Sequence, residues 1–458
     1  MINYGIESLN YRNDELLSKG NVFLNGRLNI YNALFRKEDF MGNKKGEILK
    51  RCPYLYDIDG GTSKLIFSLK DRNFINLRNL LGSYLEINRI RKDTFYEWIR
   101  KKIYPLPLVR IVCYLSDKDF LKMLDNQSIT DFCQQSKIRF KLTVNYLYSD
   151  FMAYFVGLHI GDGTLNNERW KIVDGDKYLD NLNYSYKFLS KIRRKLVNIF
   201  SINIRDSYKI KNKNAYELII SNKWFCRYLN FAYDLEYNQK RNPFISSMLK
   251  NRKRFVLRGL FDTDGSIKDY RISIGTKYKS LYNEIRKILK QYKIEYREKK
   301  NNIQRKNVVY IIEIKKEFIK NFILIIGFSH PRKILEIKKY LLTNSASRDF
   351  ISYDRKYKPK ILESEFVELC TYLRPIKNAG KIRFISHFNK LDNESKNNIL
   401  NNFIKNFGIT KRPNKKGYVY SYDVERIFTN YCTYKRRRNS TKEKEISDIM
   451  INLEKIWN

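Results

Sequence analysis

Two apolar stretches about a hundred residues apart, Phe155-Val-Gly-Leu-His-Ile-Gly-Asp-Gly163 and Leu257-Arg-Gly-Leu-Phe-Asp-Thr-Asp-Gly265, run in one register and both end on Asp-Gly. A duplication restricts the fold more than any bulk property, because whatever one copy forms, the other forms too. Each copy predicts an apolar helix whose last turn carries a carboxylate, with Gly163 and Gly265 ending the helix in the left-handed conformation. A helix C-terminus carries partial negative charge, so Asp162 and Asp264 stand where the dipole disfavours them by a few tenths to about 1 kcal/mol each. A positive partner is expected to compensate. Small residues also recur one turn apart, Gly157 and Gly161 in one copy, Gly259 and Thr263 in the other. A helix face without side-chain bulk lets two backbones approach closely, which predicts a helix–helix interface that brings both carboxylates to one end.

Two converging carboxylates call for divalent cations. Hard oxygen donors favour Mg2+ or Mn2+ over soft metals, and a carboxylate-held metal pair suits in-line phosphoryl displacement. A single such segment would be an ordinary buried helix ending in Asp-Gly. The second copy in the same register is what points to chemistry.

Composition points to a polyanionic partner. Ninety Lys and Arg against 48 Asp and Glu give a formal charge of +42, more than solubility requires and suited to nucleic acid. An AT-rich genome would also raise Lys, Asn, Ile, Tyr and Phe, but would not leave acids so outnumbered by bases. The six cysteines form no Cys-x-x-Cys pair and the three histidines are far apart, so neither a zinc site nor a disulfide framework is expected. Met1 to Asn10 has no basic start followed by an apolar core, and no apolar run approaches the ~20 residues of a membrane span. An intracellular protein with reduced thiols is expected.

At the duplicated segments the chain resembles a single-chain, two-motif homing endonuclease of the LAGLIDADG family. The second copy matches the family pattern at Leu257, Gly259, Leu260, Asp262, Asp264 and Gly265; the first departs from it at Phe155, Ile160 and Gly161. The resemblance covers roughly residues 150 to 345. It implies an α+β fold, a doubled αββαββα saddle with pseudo-twofold symmetry that straddles a duplex with its strands in the major groove. It also implies that the later carboxylates, Asp162 and Asp264, are the catalytic and metal-holding residues, one per DNA strand. The family places a basic residue near each active site, and local pattern offers Lys240 in Asn238-Gln-Lys-Arg-Asn-Pro243 and Lys333 in Gly327-Phe-Ser-His-Pro-Arg-Lys333. Their implied role is to stabilise developing phosphate charge or polarise water.

The order of elements after each motif repeats as well. Phe188, Ile192, Leu196, Ile199 and Phe200 form one helical stripe, and Leu281, Ile285, Ile288, Leu289 and Tyr292 another. Strands are expected at 202–210 and 216–220 in the first half, and at 270–274, 294–299 and 308–314 in the second. Tyr270-Arg-Ile-Ser-Ile274 alternates, so one face can meet a helix layer while Arg271 faces DNA. Basic and amide-rich segments supply Lys209, Lys211 and Lys213 in one half and Lys299, Lys300 and Arg305 in the other, residue types that contact phosphates and base edges. A solvated hairpin tip has the same composition. Lys277 is expected to touch the phosphate backbone. If about ten phosphates are contacted, affinity falls with salt at a log-log slope near −9.

The domain boundaries read from these patterns are 1–70, of unclear fold; 71–148, helical; 149–250 and 251–345, the two halves; and 346–458, mostly helical and basic. Thr94-Phe-Tyr-Glu-Trp-Ile-Arg100 followed by Pro105-Leu-Pro-Leu108 fits either a helix-turn-helix DNA-binding domain or a plain helical hairpin. In the C-terminal region Ile399, Leu400, Phe403, Ile404 and Phe407 form a helical stripe, and Tyr434-Lys-Arg-Arg-Arg438 is a basic cluster. The expected function is site-specific double-strand cleavage of a long, asymmetric DNA target. The alternatives are a non-cleaving DNA-binding regulator or intron-splicing maturase on the same saddle, and a basic RNA-processing protein without metal chemistry.

Overall fold

The computed structural model describes residues 23–24, 27–28, 52–57, 60–70, 77–79, 81–82, 85, 90–116, 123, 127–130, 139–166, 169–175, 182–235, 240–241, 243, 247–268, 271–303, 307–338, 340, 373–376, 381–384, 392–394, 396–398, 401, 410–414, 417–421 and 441–457. The chain divides into two compact units, Met1–Val256 and Leu257–Asn458.

The first unit opens with a two-residue hairpin, β1 (Phe23–Leu24) and β2 (Arg27–Leu28), and then a mixed domain. Its strands β3 (Tyr54–Tyr56), β4 (Ile103–Pro105), β5 (Ser128–Thr130) and β6 (Arg139–Lys141) form an antiparallel sheet in the order β4-β3-β5-β6. Helices α1 (Gly61–Lys70), α2 (Lys92–Lys101) and α3 (Leu106–Leu115) complete it. The buried Asp57 carboxylate caps α1 by accepting from the backbone N–H groups of Thr62 and Ser63 at 3.1 and 2.7 Å, satisfying donors that the first turn leaves without intrahelical partners. A mainly helical flank was expected here. Instead, β4 stands between α2 and α3 and pairs with β3, so the pattern around Thr94 to Leu108 is helix-strand-helix, not a helix-turn-helix. Phe95 and Trp98 on α2 are buried, which spends that helix face on the core.

The first motif half then runs α4 (Asp150–Asp162), β7 (Gly163–Asn166), β8 (Arg169–Gly175), α5 (Leu182–Phe200), β9 (Tyr208–Lys209), β10 (Ala215–Ile220) and α6 (Lys223–Tyr233), with sheet order β7-β8-β10-β9. Helix α4 is buried at every position from Phe151 to Gly161, as expected of a segment that is apolar all round. Ser149 caps its N-terminus by accepting from the Met152 N–H at 3.2 Å, and Arg252 pairs with Asp150 in its first turn at 3.2 Å. The stripe Phe188, Ile192, Leu196, Ile199 and Phe200 on α5 is buried as its spacing requires. The expected strand at 202–210 is reduced to Tyr208–Lys209. Ile202 and Ile204 are buried outside any ladder, so alternation there records burial and not pairing. Phe140 of β6 packs on Phe225 and Tyr228 of α6, with ring centroids 5.9 and 5.7 Å apart, joining the N-terminal domain to this half.

The second unit repeats the plan: α7 (Lys253–Thr263), β11 (Gly265–Lys268), β12 (Arg271–Thr276), α8 (Lys279–Gln291), β13 (Tyr296–Ile303), β14 (Asn307–Ile314) and, after a 3-10 turn, α9 (Ile319–Ile325), with sheet order β11-β12-β14-β13. Two αββαββα halves with identical strand order are therefore present. Ile272, Ile274, Ile312 and Ile314 are buried together with Leu281, Ile285, Ile288 and Leu289 of α8, while Tyr292, just past the helix, is half-buried and Arg271 on the other face of β12 is exposed. Helical residues 331–338 follow.

The C-terminal flank also departs from the expected mostly helical domain. Strands β15 (Leu373–Ile376), β16 (Lys381–Phe384), β17 (Thr410–Asn414) and β18 (Gly417–Ser421) form a sheet in the order β15-β16-β18-β17, and α10 (Thr441–Glu454) closes the described chain. The Ile399–Phe407 stripe and the Tyr434–Arg438 cluster lie outside the described residues.

Candidate functional site: the two carboxylate-bearing helix ends

Gly163 and Gly265 do not end their helices in the left-handed conformation. Gly163 is extended, φ −74° and ψ 149°, and Gly265 is absent from the positive-φ residues. Each is the first residue of a strand, and left-handed geometry would turn the chain away from its ladder. Glycine is required there for space. A Cβ on Gly163 would stand 2.4 Å from the His159 Cα, and one on Gly265 2.5 Å from the Phe261 carbonyl oxygen. Helix and strand thus meet with no room for a side chain, and the preceding aspartate is fixed at the junction.

Asp162 is the last residue of α4, about two-fifths exposed, and the Lys240 Nζ lies 3.7 Å from its Oδ1. The cation expected to offset the helix-end charge is therefore the candidate chosen from sequence.

In the second half the cation takes another position. Lys333 is 3 % exposed and donates its three protons to the carbonyl oxygens of Phe261, Asp262 and Gly265 at 2.5, 2.6 and 2.8 Å. These are terminal carbonyls of α7 and its strand junction, so Lys333 neutralises the negative end of the helix dipole directly. Stabilising phosphate charge or polarising water was expected of this residue; here its ammonium is bonded to these three carbonyl oxygens. Asp262 is buried and accepts from the Ser329 N–H at 2.8 Å, holding the segment that delivers Lys333. The first copy has Ile160 there, also buried, which accounts for the loss of one acid from the motif.

Gly157, Gly161 and Gly259 are buried, and the Thr263 hydroxyl donates to the Leu260 carbonyl oxygen at 3.0 Å. Among the expected DNA-contacting residues, Lys209, Lys211, Lys213, Arg271, Lys277, Lys299 and Lys300 are all exposed. Lys299 is held by Glu313 at 2.9 Å, and this bond keeps the Glu313 carboxyl below its ordinary range. Lys277 lies 5.3 Å from the Tyr278 ring centroid. Arg305 lies outside the described residues.

Two buried groups have partners that the linear pattern does not indicate. His159 accepts at Nδ1 from the Trp170 indole at 3.1 Å and donates from Nε2 to the Leu235 carbonyl oxygen at 2.7 Å, and burial lowers its pKa to about 4. The folded state therefore binds fewer protons than the unfolded chain between pH 4 and the ordinary value of 6.5. The stability that neutral His159 contributes is complete above that upper value and is lost as pH falls toward 4, up to roughly 3 kcal/mol. Urea unfolding across this interval should show the loss, and His159→Phe, the residue of the second copy, should flatten it. An unchanged profile in the variant would assign the acid sensitivity elsewhere.

The second is Arg258 in the middle of α7, fully buried. Its Nε donates to the Ile326 carbonyl oxygen, and its terminal nitrogens donate to the backbone and side-chain oxygens of Asn452, both at 2.7 Å. The Asn452 amide donates in turn to the Ile323 carbonyl oxygen at 2.8 Å. The motif helix, the end of α9 and α10 are thereby tied together. A single Arg in an apolar run gives no sign of a partner 194 residues away.

Fold and site together define a protein of two αββαββα halves, each with an Asp immediately before its first strand and a lysine at the end of the preceding helix. Residues 252–327 match the family model of the LAGLIDADG-like domain. The second half therefore carries a LAGLIDADG-like domain over residues 252–327. It is 30% identical over 183 residues to the replication factor C small subunit of Methanocaldococcus jannaschii, a match covering 35% of this chain and 10% of that protein, so the chain spans a tenth of that relative's length. Among solved structures it is similar to mesophilic variants of the homing endonuclease I-DmoI, with 19% identity, 40% of this chain, 97% of that one and a TM-score of 0.31. It is also similar to I-DmoI in complex with DNA and Ca, with 20% identity, 42% and 98% coverage and a TM-score of 0.32, and to I-DmoI in complex with DNA and Mn, with 22% identity, 39% and 97% coverage and a TM-score of 0.30.

Proposed function

We propose that this chain is a site-specific double-strand DNA endonuclease that hydrolyses phosphodiester bonds with divalent metal held by one aspartate from each motif. The observation that carries this reading is the paired helix ends, each presenting a carboxylate at a helix–strand junction and each supported by a lysine, Lys240 beside Asp162 and Lys333 beneath the end of α7. An acid at a helix C-terminus is locally unfavourable, and having it in both copies argues for a use beyond folding.

The donor set fits a hard cation that is only partly wrapped by protein. No group of three or more His, Cys, Asp or Glu suited to metal occurs among the described residues. Mg2+ characteristically takes one or two carboxylates and completes its shell with water and substrate phosphates. Asp162 and Asp264 would hold it. When bound, such an ion neutralises charge on the phosphate and polarises its oxygens. Lys240 would add positive potential at the first site, and Lys333 would do so through the helix end without touching substrate. The exposed bases Lys209, Lys211, Lys213, Arg271, Lys277, Lys299 and Lys300 would grip phosphates along the strands, with Lys299 sharing its charge with Glu313. The halves differ at Ile160 against Asp262 and His159 against Phe261, which suits a monomer acting on an asymmetric target. No helix among the described residues is long and apolar enough to cross a membrane.

Incubation with Mg2+ and a duplex library spanning the gene's own flanks tests the reading, with a discrete double-strand cut expected. A shifted but uncut duplex at every Mg2+ and Mn2+ concentration would instead assign a binding role of the regulator or maturase kind.

A further inference from the structure

The C-terminal sheet repeats the architecture of the two halves. Its order, β15-β16-β18-β17, is that of β7-β8-β10-β9 and β11-β12-β14-β13, its two antiparallel hairpins are separated in sequence by helical residues at 393–394, 396–398 and 401, and α10 follows its last strand as α6 and α9 follow theirs. Helix α10 packs on α9 of the second half and is tied there through Asn452. The one position that breaks the pattern is chemical. The residue immediately before the first strand is Asp162 in the first half and Asp264 in the second, but Tyr372 here.

Register sorts this sheet into two faces. Arg374 pairs with Arg383, Ile376 with Lys381, Lys381 with Ser421, Thr410 with Ser421, Arg412 with Val419 and Asn414 with Gly417. Directly paired positions share a face, and alternate positions along a strand do too. Arg374, Lys381, Arg383, Thr410, Arg412 and Asn414 therefore share one face with Ile376, Gly417, Val419 and Ser421, and Leu373, Pro375, Ile382, Phe384, Tyr418 and Tyr420 share the other with Lys411 and Pro413. The second strands of all three sheets agree in phase: Arg169-Trp-Lys-Ile172, Arg271-Ile-Ser-Ile274 and Lys381-Ile-Arg-Phe384. In the first two, Trp170, Ile172, Ile272 and Ile274 are buried and Arg169, Lys171 and Arg271 are exposed. None of the residues in the four C-terminal strands is acidic, whereas Glu217 and Glu313 stand in the central strands of the other two sheets.

We propose that residues 373–421 are a third, non-catalytic copy of the motif-half sheet, whose basic face binds the phosphates of duplex DNA. Cations at four positions of one face, without a compensating acid in the strands, complement a polyanion, and the matching phase with β8 and β12 assigns the ligand proposed for those strands. Tyr372 at the acid's position leaves the copy able to bind but not to cut. The inference rests on the DNA-binding part of the proposed function and not on cleavage.

The test is salt-dependent binding of the full-length chain to a random duplex of about 40 bp. Replacing Arg374, Lys381, Arg383 and Arg412 together by Gln should lower the log-log salt slope by roughly three to four, at about 0.9 per phosphate contact. Lys411→Gln, on the opposite face of the same sheet, should leave it unchanged. If the fourfold variant melts early, Arg383→Glu and Lys411→Glu decide the matter, with loss expected for the first alone. A wild-type slope in the face variants, equal loss on both faces, or single-stranded RNA displacing the duplex overturns the proposal. A protein that cuts while its slope ignores the basic face retires this inference and leaves the nuclease standing; one that binds through the face without cutting does the reverse. Failure of the wild type to bind duplex overturns both.

Discussion

Asp264→Asn should leave duplex binding at the wild-type level and lower cutting of one strand by roughly 10²-fold or more, so that nicked circles accumulate from a supercoiled target. Asp162→Asn should do the same to the other strand, and the double variant should bind without cutting. The substitution keeps side-chain shape and removes only the charge. At a helix end the dipole works against a carboxylate, and removing its charge relieves that repulsion. Melting temperature should therefore hold or rise slightly, with Asp162 closer to neutral because Lys240 offsets its charge. Loss of activity at preserved stability separates a functional acid from a structural one. Lys333→Met provides the contrast: leaving three helix-end carbonyls without their donor should lower stability as well as cutting. Either single Asn variant cutting both strands at the wild-type rate would remove the carboxylates from the chemistry.

The largest effect on folding is expected at Arg258. Arg258→Leu fits an apolar side chain beside α10 but strips donors from the buried Ile326 carbonyl and from the half-buried Asn452 carbonyl and amide oxygens. Each was bonded to a charged group, so a loss of about 3–5 kcal/mol is expected in urea unfolding. Arg258→Lys should recover little, since an ammonium cannot reproduce the planar fork that serves two oxygens of one residue. Asn452→Leu should cost a similar amount, because the guanidinium then stays buried with fewer acceptors. A midpoint shift below about 1 kcal/mol for Arg258→Leu would mean that α10 is not anchored through this residue.

The parts of this fold legible in the sequence are those set by local periodicity. The α5 stripe and the α8 stripe up to Leu289 are buried at the positions their spacing marks, β12 alternates as Arg271 to Ile274 predicts, and both aspartates fall at helix ends because Asp-Gly follows an apolar run in each copy. The C-terminal sheet was not legible. Its strands are four or five residues long, two contain proline, and one pattern such as Lys381 to Phe384 offers only two apolar positions, too few to separate a strand from a helix turn. The conformation of Gly163 misled for a related reason: a glycine after a helix reads as a left-handed cap, and only a strand starting on that residue makes lack of space, and not positive φ, the requirement.

By itself, the sequence determined the repeat: two copies of one helix-strand unit, an acid at the end of each, and an excess of positive charge that asks for a polyanion. The tertiary structure decided which cation serves which acid. Lys240 reaches a carboxylate and Lys333 is consumed by three carbonyls, a difference in burial and distance that two lysines in a linear pattern cannot express. It also decided that Arg258 is an internal tie, since a charge in an apolar helix acquires meaning only from acceptors brought to it from the far end of the chain.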